Sequence, residues 1–256
     1  MKIILDVRKS ALENARTLFD EAKKFKKKAE GAKKAIEETK RKLSQKTGVE
    51  KKPAEEKKGK QKKKWFDEYR HFTTTNGFLC VGGKNAKQND LLVANNLKEN
   101  DLFFHADVHG ASAVILKEGV KAKEQDSREA AQFTACYSNA WKLQSGVADV
   151  YCVGKSQVSK YSSGEFVGKG AFLISGERKW FKNVELRMVF SGQGEELALE
   201  PAEKLVAKGV SWAGRMIMPG SKSKEELFKE LKPKPLLKLK KTDLFFSLLP
   251  GNSELL

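Results

Sequence analysis

Apolar and polar positions change their period along the chain, and each change marks a segment. Over residues 7–45, Ala11, Ala15, Leu18, Ala22, Phe25, Ala29, Ala32, Ile36, Thr39 and Leu43 recur at alternating steps of four and three, the spacing of a coiled-coil seam. The seam is rich in alanine, so it permits close approach but buries little area per turn, and such a helix is marginal alone. It reads either as one arm of an antiparallel helical hairpin whose other arm comes from elsewhere, or as a solvated charged helix. Residues 46–64 (KTGVEKKPAEEKKGKQKKK) follow as a low-complexity charged linker.

From Trp65 the pattern shortens. Trp65, Phe66, Tyr69 and Phe72 share one face of a predicted amphipathic helix. Residues 77–83 (GFLCVGG) predict a strand, 84–90 a polar turn, and 91–97 the start of a helix. Residues 101–112 (DLFFHADVHGAS) alternate as a strand and then turn on small residues, and 113–116 continue apolar. A helix is predicted over 127–141, capped by Ser127. Strands are predicted at 147–153, 172–175 and 186–190, with glycines between them. Beyond Ser191 a short helix (201–208), a strand-like stretch (209–218) and a loop (219–224) are expected. The fold class is α+β: a mixed sheet with packed helices, preceded by a long basic coiled-coil helix. The expected divisions are an arm and linker (1–64), an α+β domain (65–190) and a carboxy-terminal extension of the core (191–256).

Charge sharpens this picture. Of 256 residues, 32% are charged and 39% hydrophobic, and the net charge is +17. Residues 21–64 hold 19 Lys/Arg against seven Asp/Glu, so 12 of the 17 excess charges sit there. Such concentration suits a polyanionic partner. No run of 18 apolar residues or signal-peptide pattern occurs, so no membrane is expected and a cytoplasmic location is. Cys80, Cys136 and Cys152 are widely spaced among apolar neighbours and read as reduced core thiols.

The chemistry concentrates in residues 101–112. Alternation puts His105, Asp107 and His109 on one face and Phe104, Ala106 and Val108 on the other, with Gly110, Ala111 and Ser112 forming a turn. A metal site would need more ligands than His71 adds, and neither metal nor cofactor is expected. A hydrolase with Ser112 as nucleophile and a histidine base oriented by Asp107 would need a geometry that the sequence does not reveal. Alternatively, Asp107 caps the turn and both imidazoles bond to backbone. The fourth reading is a surface that contacts phosphate and ribose. Glycine turns that carry lysines recur around this stretch: Lys84 and Asn85 in VGGKNAKQN, Gln157 and Lys160 in GKSQVSK, then GKG at 168–170 and GERK at 176–179. The VGGKNAKQN stretch is not a P-loop, because no Gly-Lys-Ser/Thr follows. Glycine lets a backbone approach closely and lysine favours an anion.

WFDEYRHFTTTNGFLCVGGKNAKQNDLL, DLFFHADVHGAS, ACYSNAW, QVSK and GEFVGKGAFLISGERKWF together resemble the NFACT-R domain over roughly residues 64–190. The upstream DVRKSALENA resembles the coiled-coil region that leads into that domain in NEMF-like ribosome quality-control factors. The closing TDLFFSLLPGNSEL is similar to the end of archaeal members. The resemblance implies a non-enzymatic RNA-binding module that contacts rRNA or tRNA on the large ribosomal subunit. The expected contact face is Lys84, Asn85, His105, Asp107, His109, Gly110, Ser112, Gln157 and Lys160. The family's amino-terminal NFACT-N domain and first coiled-coil arm have no counterpart here. That implies a fragment or a short member beside a partner chain, or self-association through the seam, without tailing activity of its own.

Overall fold

The computed structural model describes residues 64–162, 165–191, 197–206, 216–231 and 242–256, together with 10–15 and single positions between 18 and 37. The chain divides into two units, Met1–Lys62 and Lys63–Leu256. In the first, Ser10 and Glu13 form a reciprocal cap: Glu13 N–H donates to Ser10 Oγ (3.3 Å) and Ser10 N–H to Glu13 Oε2 (2.8 Å). Ala11, Ala15, Leu18 and Ala22 of the seam are helical. The seam from Phe25 to Leu43 and the charged linker up to residue 63 lie outside the described residues.

The second unit is built on a six-stranded sheet in the order β1-β2-β4-β3-β5-β10. Its strands are β1 (Arg70–Thr73), β2 (Leu79–Gly82), β3 (Leu102–Ala106), β4 (Val114–Leu116), β5 (Val147–Gly154) and β10 (Lys179–Glu185). Two ribbons, β6 (Val158–Ser159) with β9 (Leu173–Ile174) and β7 (Tyr161–Ser162) with β8 (Glu165–Phe166), fill the interval before β10. A second sheet runs β12-β11-β13-β14, from β11 (Met188–Ser191), β12 (Ala198–Pro201), β13 (Met216–Pro219) and β14 (Ser253–Leu255). The helices are α1 (Ala86–Asn96), α2 (Glu124–Cys136), α3 (Asn139–Lys142), α4 (Ala202–Val206), α5 (Lys224–Leu231) and α6 (Thr242–Leu248).

Both faces of the central strands are covered, which is why their residues are apolar in runs. Phe104 and Ala106 of β3 pack with Phe133, Ala130 and Trp141 from α2 and α3 on one side. Phe103 packs with Leu92 of α1, Tyr151 and Val153 on the other. Helix α2 lies against β3, β5 and β10 and also against β12 and α4. It is therefore the element shared between the two sheets. Burial of Leu199, Ile217, Leu227 and Phe245 in the same cluster ties residues after 191 to this core. Tyr137 donates its hydroxyl to Leu248 O (2.7 Å), and Trp141 Nε1–H donates to Asn252 O (2.9 Å). The three cysteines are free and buried, and burial pushes the Cys152 thiol up to about 11.

The α+β class holds, with corrections to its detail. The sheet is not mixed: every pairing among the described residues is antiparallel. Trp65–Phe72 is not an amphipathic helix. Arg70–Thr73 forms β1, and Phe72 lies buried with its ring centroid 4.9 Å from Phe133. The run HFTTT favours extended backbone, and the helical spacing of Trp65, Tyr69 and Phe72 is coincidental. Helix α1 starts at Ala86, inside the polar stretch read as a turn, because Asn85 Oδ1 accepts from Gln88 N–H (3.0 Å). The helix expected over 127–141 is two. Helix α2 starts at Glu124, where Lys123 N–H donates to Asp126 Oδ2 (2.9 Å), and Ser138 caps α3. Strand β3 ends at Ala106, so the rest of the HADVHGAS run is a turn.

Candidate nucleic-acid interface

Three segments converge beside the end of β3. The first is the start of α1, where Lys84 N–H donates to Gln88 Oε1 (2.9 Å) and the first turn carries no acidic residue. The second is the turn after β3. Gly110 holds φ at +80°, and a Cβ there would lie 2.3 Å from Asn139 Nδ2, which in turn donates to His109 O (2.8 Å). Only glycine fits. Ser112 Oγ is 2.8 Å from Gly83 O and 3.0 Å from Tyr137 O, closing the turn onto β2 and α2. The third is the tip at 168–171. Gly170 packs on Ala86 and donates its N–H to Asp90 Oδ1 (3.0 Å).

Between them lies a cleft of about 360 Å³ lined by Lys84, Asn85, Ala86, Asn89, His105, His109, Gly110, Ala111, Ser112, Lys169, Gly170 and Ala171. Six of the nine residues expected on the contact face line it: Lys84, Asn85, His105, His109, Gly110 and Ser112. Asp107 is exposed and lies outside the lining. Gln157 and Lys160 are engaged in holding loops. Gln157 accepts from Gly154 N–H (3.0 Å) and donates to Ser175 O (3.0 Å) and Glu177 O (2.7 Å). Lys160 pairs with Asp90, donates to Ala171 O (2.7 Å) and lies 4.4 Å from the Phe172 ring centroid. Together with Gly170, it fastens the tip to α1.

Among the described residues no carboxylate lines the cleft, so its field is cationic. Lys84 is held below its ordinary value, first by partial burial and then by Arg70. Arg70 is largely buried: its Nη1 donates to Gly83 O (3.2 Å), its guanidinium lies 4.4 Å from the Tyr137 ring centroid, and its Nε has no partner. Burial lowers its value too. The imidazole of His105 stacks parallel to Phe103 at 6.3 Å. Loss of water around it lowers its value from the ordinary 6.5, opposed by a bond to Ala106 and by Asp107. At neutral pH it is therefore an uncharged group that both donates and accepts. Asn89 is 5% exposed, donates weakly to Ala111 O (3.4 Å), and leaves Oδ1 without a partner. Sequence reasoning missed Arg70, Asn89 and Lys169 as site residues. Two of them had a signal: Asn89 lies in the glycine- and amide-rich VGGKNAKQN stretch, and Lys169 in the GKG turn.

Residues 65–176 match the NFACT protein RNA binding domain. This segment is an NFACT RNA-binding domain. Every residue that lines the cleft lies within the NFACT domain. The chain is 34% identical over 179 residues to the archaeal Rqc2 homolog aRqcH of Methanocaldococcus jannaschii, a match covering 68% of this chain and 26% of that one. It is 31% identical to the ribosome quality control complex subunit NEMF homolog of Drosophila melanogaster, over 73% of this chain and 19% of that one. It is also 31% identical to the human ribosome quality control complex subunit NEMF, over 71% and 17%. The chain thus spans about a quarter or less of the length of these relatives. Among the described residues, no group of three or more His, Cys, Asp and Glu is placed to hold a metal, and no helix is long and apolar enough to cross a membrane.

Proposed function

We propose that the cleft binds the sugar–phosphate backbone of rRNA or tRNA on a large ribosomal subunit, as a binding module of cytoplasmic ribosome quality control. One observation carries the reading. The start of an 11-residue helix with no acid in its first turn faces a cleft that holds Lys84, Lys169 and two imidazoles and no carboxylate. Helix amino-termini with flanking lysines favour phosphate. The relatives' names support the setting. Lys84, Asn85, His105, His109, Gly110 and Ser112 contact RNA in this reading, while Gln157 and Lys160 hold the loops that shape the cleft. A hydrolytic role draws less support, because Ser112 Oγ is spent on backbone carbonyls.

The amino-terminal arm pairs with a partner helix in this proposal. Leu12 and Phe19, seven residues apart on helical backbone, are 80% and 78% exposed.

The test is binding of the purified chain to large subunits with and without peptidyl-tRNA at several salt concentrations. With about six phosphate contacts, log affinity is expected to fall against log salt with a slope of about −4. A flat response overturns the electrostatic reading. Equal binding to both subunits argues for rRNA rather than tRNA.

A further inference from the structure

A row of aromatic rings leaves the cleft along the same face of the sheet. His105 is the cross-strand partner of Tyr151, and Tyr151 is the partner of Trp180. Directly opposed residues of antiparallel strands share a face. The ring centroids step across at 6.0 and 5.4 Å. The row starts inside the cleft at His105 and ends on β10, the edge strand, where Trp180 is 37% exposed.

Two cations lie on this row. The Arg178 guanidinium is 4.7 Å from the Tyr151 ring centroid, and Lys182 Nζ is 4.0 Å from that of Trp180. Lys182 is oriented by Asp149 (2.8 Å), which also accepts from Asn183 N–H (2.9 Å) at the bulge of β10. Lysines and a bulge are enough to blunt a sheet edge. A partly exposed tryptophan adds nothing to that defence, and its ring remains available to a ligand. A flat ring flanked by cations, on the same sheet face as a cationic cleft and separated from it by the buried Tyr151 ring, matches one ligand chemistry: nucleobase and phosphate in succession.

We propose that Trp180 stacks an unpaired nucleobase of a single RNA strand whose backbone continues into the cleft, with Arg178 and Lys182 facing the flanking phosphates. This deepens the RNA-binding reading and rests on it. Paired RNA does not satisfy the site, because its base faces are already stacked. Sequence preference is weak, since every base presents a π-face.

The experiment compares wild type with Trp180→Ala, Trp180→Phe and Lys84→Ala by fluorescence anisotropy. The probes are a short labelled single-stranded RNA and a duplex of the same sequence, across a salt series. Trp180→Ala is expected to weaken single-strand binding by about 5- to 150-fold, the range found per stacked base, with the salt slope and duplex binding unchanged. Trp180→Phe, which keeps an aromatic face, is expected to retain most of the affinity. If Trp180→Ala binds the single strand like wild type while Lys84→Ala weakens it, stacking is overturned and the cleft reading stands. Equal loss on both probes also overturns stacking. If wild type binds neither probe, or Lys84→Ala and Trp180→Ala both bind like wild type, the cleft reading falls and takes this inference with it.

Discussion

Gly170 donates its backbone N–H to Asp90 Oδ1 at 3.0 Å while holding φ at +78° against Ala86. The same carboxylate pairs with Lys160. One acid on α1 therefore fixes the tip that carries Lys169 into the cleft. Both side chains of the pair are mostly shielded, at 19% and 29% exposure, so the pair escapes the screening that weakens surface bridges. Asp90→Ala and Lys160→Ala are each expected to cost about 1.5 to 3 kcal/mol, the range for bonds to charged groups. Their double mutant should cost less than the sum. Urea denaturation of the four proteins measures this coupling. An additive result, with Lys160→Ala alone weakening RNA binding, would instead mean that Lys160 contacts RNA directly.

Lys84 and Lys169 reach the cleft from different segments. If each neutralises one phosphate, replacement by alanine lowers the magnitude of the salt slope by about 0.7 to 0.9 per lysine. The two effects should add. Affinity loss with an unchanged slope would assign the lysines a role in shape rather than charge.

Asn89 sits on the cleft wall with an unsatisfied acceptor. Asn89→Asp keeps the shape and introduces a negative charge beside the proposed phosphate. At about 4 Å this repulsion is worth about 1 to 4 kcal/mol, according to how much water remains. RNA binding is expected to fall correspondingly. Because Asn89 is buried and its Nδ2 donates to Ala111 O, the melting temperature of the free protein is expected to fall as well, so affinity is compared at a temperature where both proteins are folded. Unchanged affinity would place the phosphate elsewhere.

His105 titrates below its ordinary 6.5 because burial disfavours the imidazolium. The unfolded chain takes the ordinary value. As pH falls below about 6.5, the unfolded state therefore gains a proton that the folded state resists, and stability is lost. Above that pH both states are neutral and the histidine contributes nothing. His105→Gln is expected to lose less stability than wild type between pH 7 and pH 5 in matched urea titrations. Bound RNA reverses the direction, since a nearby phosphate favours the charged ring. An NMR titration of His105 with and without RNA should show its midpoint rise on binding.

How far the sequence revealed this site follows from where each partner lies along the chain. The HADVHGAS run was legible in part: alternation held only to Ala106, while the glycine and small residues announced the turn that carries Asp107 off the shared face. Phe103, Phe104 and the apolar β4 were legible because both faces of the central sheet are buried. Strand β10, KWFKNVE, was not, because an edge strand that faces water on one side carries lysines and a bulge in place of a clean period. Lys160 reads in sequence as a basic residue in a glycine-rich turn. Its partner Asp90 is 70 positions away, and no local pattern announces an ion pair across that separation. The aromatic row from His105 to Trp180 is equally hidden, because cross-strand neighbours exist only once the register is set.

The bonds from Tyr137 to Leu248 and from Trp141 to Asn252 each span 111 positions. A ribosome adds about 5 to 20 residues per second, so roughly 5 to 20 s separate the synthesis of Tyr137 and Trp141, at the end of α2 and in α3, from that of the residues that satisfy them. Through that interval the buried side of α2 has the first sheet but lacks the second. The order of synthesis and the order of closure therefore differ. The wall that shapes the cleft is made early, and it is braced from behind only by segments that emerge much later.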